Sequence, residues 1–417
     1  MRQIRLLQLV HGYPPAVGGV ELTVRDVCER LVARYGIDVT VFTTDAYTNE
    51  NFRNRSLPRI PIVDGEEQNG VKVRRFPVDT RYALPLRYLQ RFAYAFRLPG
   101  NDTLRTLYQG PISPQMLQAT LGFEADVICA ASFPLNHMTY PFRRPLPRPP
   151  IVLAGAAHTN DPWGFRRQNL IDLIGESYAY VASTGHEREW LVSQGAPAAR
   201  IRVIGHSIDP DRMRPRPGAF RSEQGILAGD FLVAYVGQQG GHKGIDTLIS
   251  VFPRLLAARP NARLVVAGSR TPYSATIRGL ASKLPGSVAE RLLILDDISE
   301  QAKADLLAGC DVFASPSGFE SFGVTTLEAW AQRKPVVLGS SPAVREIVED
   351  GVTGLLVPYA SHGRLLEALV ALAADADRRQ KMGNAGRQRL LQRHTLDAEV
   401  ARYYGLYQEA VGFAAAV

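Results

Sequence analysis

The chain has little cysteine and lysine and no long apolar run. Cysteine occurs three times in 417 residues, at Cys28, Cys129 and Cys310, each alone inside an apolar-periodic stretch. An odd, scattered set excludes a disulfide framework and a CxxC metal site, so the three read as small buried hydrophobes. No run approaches the ~20 apolar residues of a membrane span; the longest candidate, 365–374, is broken by Glu367. The first ten residues are too charged for a secretory leader and Pro14 follows closely, so a cytoplasmic protein is expected. The phosphate-binding GxxxxGK[ST], the dinucleotide GxGxxG and the serine-elbow GxSxG spacings are all missing. Asp209-Pro-Asp211 matches a metal–diphosphate DxD only superficially, because it lies in a proline-rich stretch and not at a strand end; no metal is expected.

What is present is an ordinary globular composition, 46% hydrophobic and 21% charged. The formal net charge is +8, and residues 51–100 carry ten bases against four acids. Such a basic stripe suits an anionic partner such as a membrane surface, a lipid phosphate or nucleic acid. Lysine occurs only six times against 42 arginines, which reads as compositional bias. Within the basic segment, Arg81, Arg87, Arg91 and Arg97 alternate with Tyr82, Leu86, Leu89, Phe92 and Phe96. Two readings are open: an interfacial helix on a membrane or acceptor, or a buried helix with snorkelling arginines.

Short apolar runs alternate with helical periodicity throughout. Strands are expected at 4–10, 39–43, 126–130, 151–154 and 179–182, then at 232–236, 264–267, 292–295, 312–314, 335–338 and 355–357. The alternation predicts α/β architecture with two doubly wound, Rossmann-like domains. The segment 209–219, DPDRMRPRPGA, has no apolar period and marks the boundary. The expected division is 1–207, 208–393, and a C-terminal helix within 394–417.

Ligands of open parallel sheets bind beyond the carboxyl ends of the strands, which singles out four loops. HGYPPAVGGVE, from His11 to Glu21, presents Gly18 and Gly19 at a helix start, either as an anion cradle or as a tight turn. GQQGGHKG, from Gly237 to Gly244, combines free backbone with Lys243 and suits phosphate. SPSGFESFGVTTLE presents Glu320 before a helix starting near Gly323 and Glu328 within it. Either the two carboxylates hold opposite ends of a ligand, or they are a first-turn acid and a solvated one. AAHTNDPWG places His158 at a strand end, as a functional or a capped structural histidine.

Taken together, FLVAYVGQQGGHKGIDTLISVF, CDVFASPSGFESFGVTTLEAWAQRKPVV and REIVEDGVTGLLVP resemble the family 4 retaining glycosyltransferases of GT-B fold. Glu320-x7-Glu328 has the spacing of that family's E-x7-E motif, and VASTGHEREWLVSQGAPAARIRVIGHSID resembles the lead into its second domain. The resemblance implies two domains facing across a cleft, with a nucleotide-diphosphate sugar in the second and a glycan or lipid-linked acceptor in the first. It implies that Glu328 binds ribose, that Phe322, Gly323, Val324 and Thr325 line the diphosphate, and that Glu320 contacts the donor sugar. Lys243 would neutralise the leaving group beside Gly237 and Gln238, Ile298 would contact the base, Gly18 and Gly19 would form the family's N-terminal loop, and His158 would be the active-site histidine. No cofactor, catalytic metal or nucleic-acid partner is implied, and the C-terminal helix would cross back to the first domain. One position departs: Gln238 stands where the family has arginine, with Arg270 as first candidate to replace that cation. A weakened GT-B-fold nucleotide- or glycan-binding protein, or a sugar-nucleotide isomerase on the same fold, is the alternative.

Overall fold

The computed structural model describes residues 3–416. The chain forms two compact units, one of residues 1–206 and 396–417, the other of 207–395. The proline-rich stretch 209–219 lies inside the second unit, where Asp305 accepts both the backbone N–H (2.6 Å) and the guanidinium (2.7 Å) of Arg216.

In the first unit the strands are β1 (Arg5–Leu9), β2 (Asp38–Thr44), β3 (Glu67–Gln68), β4 (Val71–Phe76), β5 (Val127–Ala131), β6 (Ile151–Ala154), β7 (Ala179–Ala182) and β8 (Ile201–Val203). They form one sheet in the order β3-β4-β2-β1-β5-β6-β7-β8, parallel except for the antiparallel β3–β4 edge. The expected strands are all present; β3, β4 and β8 were not read from the sequence. β4 alternates buried valines with exposed Lys72 and Arg74, the mark of a strand with one wet face. Helix α1 (Gly19–Tyr35) buries Val24, Val27, Cys28 and Leu31 at helical spacing and ends at Gly36, whose φ of 62° suits glycine.

The second unit holds β9 (Phe231–Val236), β10 (Ala262–Gly268), β11 (Leu292–Asp296), β12 (Val312–Ser315), β13 (Val336–Gly339) and β14 (Leu355–Val357). All pairs are parallel, in the order β11-β10-β9-β12-β13-β14. Both sheets carry near-continuous apolar strands because helices cover both faces. In each, the chain winds outward on one side, then resumes on the other. The reversal falls between β1 and β5 in the first unit and between β9 and β12 in the second. At such a point the loops leaving two neighbouring strands diverge to opposite faces, leaving a crevice at their carboxyl ends.

The last helix, Leu396–Ala416, belongs to the first unit. Its Val400, Leu406, Tyr407 and Ala410 complete that unit's core, Tyr404 stacks on Tyr35 at 4.1 Å, and Asp397 pairs with Arg30 and Arg34 at 2.6 and 3.0 Å. Tyr407 is buried against Cys129 and Cys28, and truncating a buried aromatic costs about 3–5 kcal/mol. Tyr407→Ala is therefore expected to lower the urea midpoint of the first unit while leaving that of the second in place. Two-wavelength chemical denaturation checks this; a normal first-unit midpoint would show that the helix is dispensable.

Candidate functional site

In the second unit the loop leaving β9 is pressed against the loop leaving β12. Gly244 has φ 69°, and a Cβ there would collide with the Pro316 carbonyl oxygen, so only glycine permits this approach. The Gly318 N–H donates to the His242 carbonyl at 2.8 Å, tying the loops together. Across that junction Lys243 Nζ donates to Glu320 Oε1 at 2.8 Å, the side chains being 16% and 17% exposed. The sequence candidates for phosphate and sugar contacts are thus in direct contact at the strand-order reversal.

Gly323, at φ 91°, caps the helix Val324–Ala331, so Val324 and Thr325 occupy its first turn. The N–H groups of a first turn have no partners within the helix and carry partial positive charge. Phe322 is buried in the core and meets the His394 ring edge-on at 5.7 Å, which makes it a wedge behind the helix start.

Glu328 is neither solvated nor beside Glu320. Its Oε1 accepts from Lys303 Nζ at 2.6 Å, both side chains being 14% exposed, and Lys303 also reaches Glu300 at 2.9 Å. Burial pushes the Glu328 carboxyl above its usual range, opposed by the Lys303 charge. Burial alone would lower the Lys303 ammonium, but Glu328 and Glu300 hold it above its ordinary value. Lys303 was not read from the sequence. The signal available was scarcity: two of the six lysines sit on the two glutamates of the E-x7-E pair.

The remaining positions of this unit are dispersed. Gln238 is exposed, and its carbonyl accepts from Tyr235 Oη at 2.8 Å. Its neighbour Gln239 is the buried one, donating to Asp296 Oδ1 at 2.9 Å; that bond, with Arg278, holds Asp296 below the usual carboxylate range. Gly237, at φ 155°, begins the turn. Arg270 has its charge taken up by Asp297, 2.9 Å from Nε, and is 66% exposed. No contact between Arg270 and Lys243 is present among the described residues. Ile298 follows β11 and packs half-buried on the core just before Ser299, which caps the next helix.

In the first unit, His158 lies in the loop after β6, edge-on to Phe165 at 5.1 Å. Buried Glu187 anchors that loop by accepting from the Ala157 N–H at 3.0 Å and from Tyr180 Oη at 2.8 Å. Gly18 caps α1 with an extended backbone, and a Cβ on it would strike the Glu21 carboxylate; around Gly19 there is open space. Glu21 Oε1 lies 3.0 Å from His11 Nε2, and His11 Nδ1 lies 2.7 Å from Ser132 Oγ. Burial alone would raise the Glu21 carboxyl, but His11 holds it below its ordinary value. His11 and Glu21 bounded a loop noted from the sequence; Ser132 had no sequence signal.

The N-terminal part, residues 18–206, matches the family profile described as glycosyl transferase 4-like domain, and residues 218–389 match glycosyl transferases group 1. The chain is 31% identical over 406 residues to D-inositol 3-phosphate glycosyltransferase of Xylanimonas cellulosilytica, covering 94% of this chain and 92% of that one. It is 26% identical over 397 residues to the GDP-mannose-dependent alpha-(1-6)-phosphatidylinositol monomannoside mannosyltransferase of Mycobacterium tuberculosis, covering 92% and 93%. The match to D-inositol 3-phosphate glycosyltransferase of Nocardia farcinica, 33% identical, spans about half of each, 51% of this chain and 48% of that one. Among solved structures, HepE of Anabaena in complex with UDP and glucose superposes with TM-score 0.72 at 19% identity, covering 98% of this chain and 100% of that one. Sucrose-phosphate synthase of Thermosynechococcus elongatus gives 0.74 at 19% identity, covering 98% and 99%. The fold is the two-domain α/β architecture named GT-B.

Removing one partner of a buried ion pair leaves an uncompensated charge, a loss of about 3–5 kcal/mol. Lys303→Met is expected to lower thermal stability of the second unit and to weaken nucleotide binding at least tenfold. Calorimetric titration with UDP and GDP, alongside a melting curve, checks both; wild-type affinity would remove Lys303 from the site.

Proposed function

The chain belongs to the group 1, family 4-type glycosyltransferases, and from that premise we propose that it is a retaining hexosyltransferase. It would move a sugar from a nucleoside diphosphate to a hydroxyl of a polyol, glycan or lipid-borne acceptor. The observation that carries the reading is the pair of buried contacts Lys243–Glu320 and Lys303–Glu328, placed around one strand-order reversal.

In this reading the diphosphate takes Glu320's place beside Lys243 and receives the N–H groups of Val324 and Thr325. Charge building on the leaving oxygen then meets a fixed cation and a helix start, which is electrostatic stabilisation without reorganisation. Glu320, released from Lys243, accepts from the donor sugar's hydroxyls. Glu328, oriented by Lys303, accepts from the ribose. Ile298 faces the base through its backbone; His158, in the first unit, is the active-site histidine of this reading. Glu328 is committed to ribose, so the two carboxylates do not flank the anomeric carbon as a double displacement requires. Attack on the leaving group's own face, with the departing phosphate oxygen taking the acceptor proton, retains configuration with these residues. No metal or cofactor takes part in this reading. With Gln238 in place of arginine, Lys243 carries more of the charge; removing a preorganised group of this kind costs about 2.7–4 kcal/mol in the barrier. Lys243→Ala should accordingly abolish nearly all turnover.

Titration calorimetry with UDP, GDP and ADP fixes the donor class, followed by turnover with UDP-glucose and GDP-mannose. Glu328→Ala is expected to weaken nucleotide binding by about 1–3 kcal/mol, the value of hydrogen bonds to a charged acceptor. Glu320→Ala should lose turnover while free nucleotide still binds. Equal nucleotide affinity in wild type and both variants would overturn the assignment.

The acceptor side of the reading includes an anionic membrane surface. Helix α2 (Ala83–Ala95) turns only Leu86, Gln90 and Ala93 inward. Leu84, Tyr88, Leu89, Phe92 and Phe96 are each more than half exposed, among exposed Arg87 and Arg91. That pattern supports an interfacial helix over a buried one with snorkelling arginines. No helix among the described residues is long and apolar enough to cross a membrane, so the contact would be peripheral, at the cytoplasmic face. Sedimentation with phosphatidylglycerol vesicles should show binding at low salt that is lost at high salt and in Arg87→Glu/Arg91→Glu. Absence of low-salt binding would end the membrane assignment.

A further inference from the structure

The strand-order reversal of the second unit is filled by Lys243 and Glu320; the equivalent place in the first unit is filled by chemistry that the reading above does not use. His11 follows β1, Ser132 follows β5, and β1 and β5 are the neighbouring strands at which that sheet reverses. Glu21 reaches the same point from the first turn of α1. The three side chains form an unbroken line, Glu21 Oε1 to His11 Nε2 at 3.0 Å and His11 Nδ1 to Ser132 Oγ at 2.7 Å. All three residues are less than a tenth exposed.

We propose that Glu21, His11 and Ser132 form a hydroxyl-binding relay that takes a hydroxyl of a polyol or sugar acceptor at Ser132 Oγ. This deepens the transferase reading and rests on it for the identity of the ligand as acceptor. A carboxylate accepts and does not donate, so in the neutral imidazole that the relay uses, Glu21 fixes the proton on Nε2. Nδ1 is then an acceptor, and the Ser132 hydroxyl must donate into it. That leaves the lone pairs of Ser132 Oγ for a donor from outside, and among the described residues His11 is the only partner of that oxygen. An acceptor hydroxyl donating to Ser132 would be polarised along three hydrogen bonds ending on a carboxylate, raising its nucleophilicity and fixing its oxygen.

Two further features set the arrangement apart from ordinary packing. Ser132 sits at φ 87°, a conformation a side chain other than glycine seldom adopts and one concentrated at functional sites. Behind the relay lies His137, fully buried, whose Nε2 bonds the Ala131 carbonyl at 2.7 Å while Nδ1 is a buried acceptor without a protein donor. Its ring is 6.2 Å from that of His11, and burial above all lowers it to about 3. A neutral second imidazole therefore backs the first.

The test has one arm that needs no acceptor. A serine whose proton is held by His11 reacts with diisopropyl fluorophosphate: the Ser132 oxygen bonds phosphorus, fluoride leaves, and the hydroxyl proton passes to His11 Nδ1. Mass spectrometry of the wild-type protein should find the adduct on Ser132, absent in Ser132→Gly and formed at least tenfold more slowly in His11→Gln and Glu21→Gln. Glycine suits φ 87° better than serine, so Ser132→Gly removes the hydroxyl without threatening the fold. In the second arm, with GDP-mannose or UDP-glucose as donor and D-inositol 3-phosphate or phosphatidylinositol vesicles as acceptor, Ser132→Gly should raise the acceptor KM at least tenfold. Nucleotide affinity by calorimetry should stay within twofold. An unmodified wild-type Ser132, an equal rate in His11→Gln, or an unchanged acceptor KM overturns the relay. Modification of Ser132 without transfer to any acceptor would instead sustain the relay and sink the transferase reading.

Discussion

A parallel sheet cannot be laid down in sequence order from one edge to the other with helices on both faces. The chain has to start inside, wind one way, and return to wind the other way. Each unit of this protein therefore has one pair of adjacent strands whose following loops part, β1 and β5 in the first, β9 and β12 in the second. The Lys243–Glu320 contact sits at the second of these places and the Glu21–His11–Ser132 line at the first. The apolar strands bring backbone and side chains to a crevice that the sheet geometry leaves open, and the loops need only supply polar ends. Gly244 and Gly323 serve that end directly, the first by letting one loop touch another, the second by turning the chain into a helix.

Polar groups gathered at a crevice must be compensated while no ligand is there. The protein does so by giving each acid its own base: Glu320 has Lys243, Glu328 has Lys303, and Glu21 has His11. These pairs impose a specificity condition. A ligand that separates Lys243 from Glu320 must bring negative charge for the lysine and hydroxyl donors for the carboxylate, since either left alone in a largely buried setting is costly. A nucleoside diphosphate lacking the sugar meets half of that condition. A neutral sugar meets the other half. A sugar nucleotide, the donor of the proposed reading, would satisfy both at once, which is a reason for it to bind as a unit.

Most strands of both sheets were legible because buried parallel strands are short apolar runs, and the E-x7-E pair was legible because its spacing matches the family's motif. What stayed hidden has a common cause: partners brought together by tertiary folding. Lys303 lies 25 residues from Glu328, and Ser132 lies 121 from His11. No periodicity joins such pairs. Arg270 is the converse case: the sequence offers a cation near the right strand end but not its pairing with the aspartate at position 297. β4 was missed because its exposed Lys72 and Arg74 break the apolar run, and β8 because three residues at a sheet edge carry almost no pattern.

The basic segment shows how structure sharpens a composition argument. Of the ten bases in 51–100, four are bonded to acids of the same unit: Arg59 to Asp45, Lys72 to Asp38, Arg75 to Glu66 and Arg81 to Asp79. Arg53 lies over the Tyr108 ring, and Arg74 over Phe42 and Phe76. Among the described residues this leaves Arg55, Arg87, Arg91 and Arg97 without an acidic partner, three of the four on α2 or just after it. The stripe that seemed spread over fifty residues is thus mostly internal bookkeeping of charge, and the uncompensated part coincides with the exposed rings of Tyr88, Phe92 and Phe96. Cations without an acidic partner attract an anionic surface, and exposed rings have area to bury in it. Either feature alone is common on protein surfaces; their coincidence on one helix is the ground for proposing an anionic lipid surface as the partner of α2.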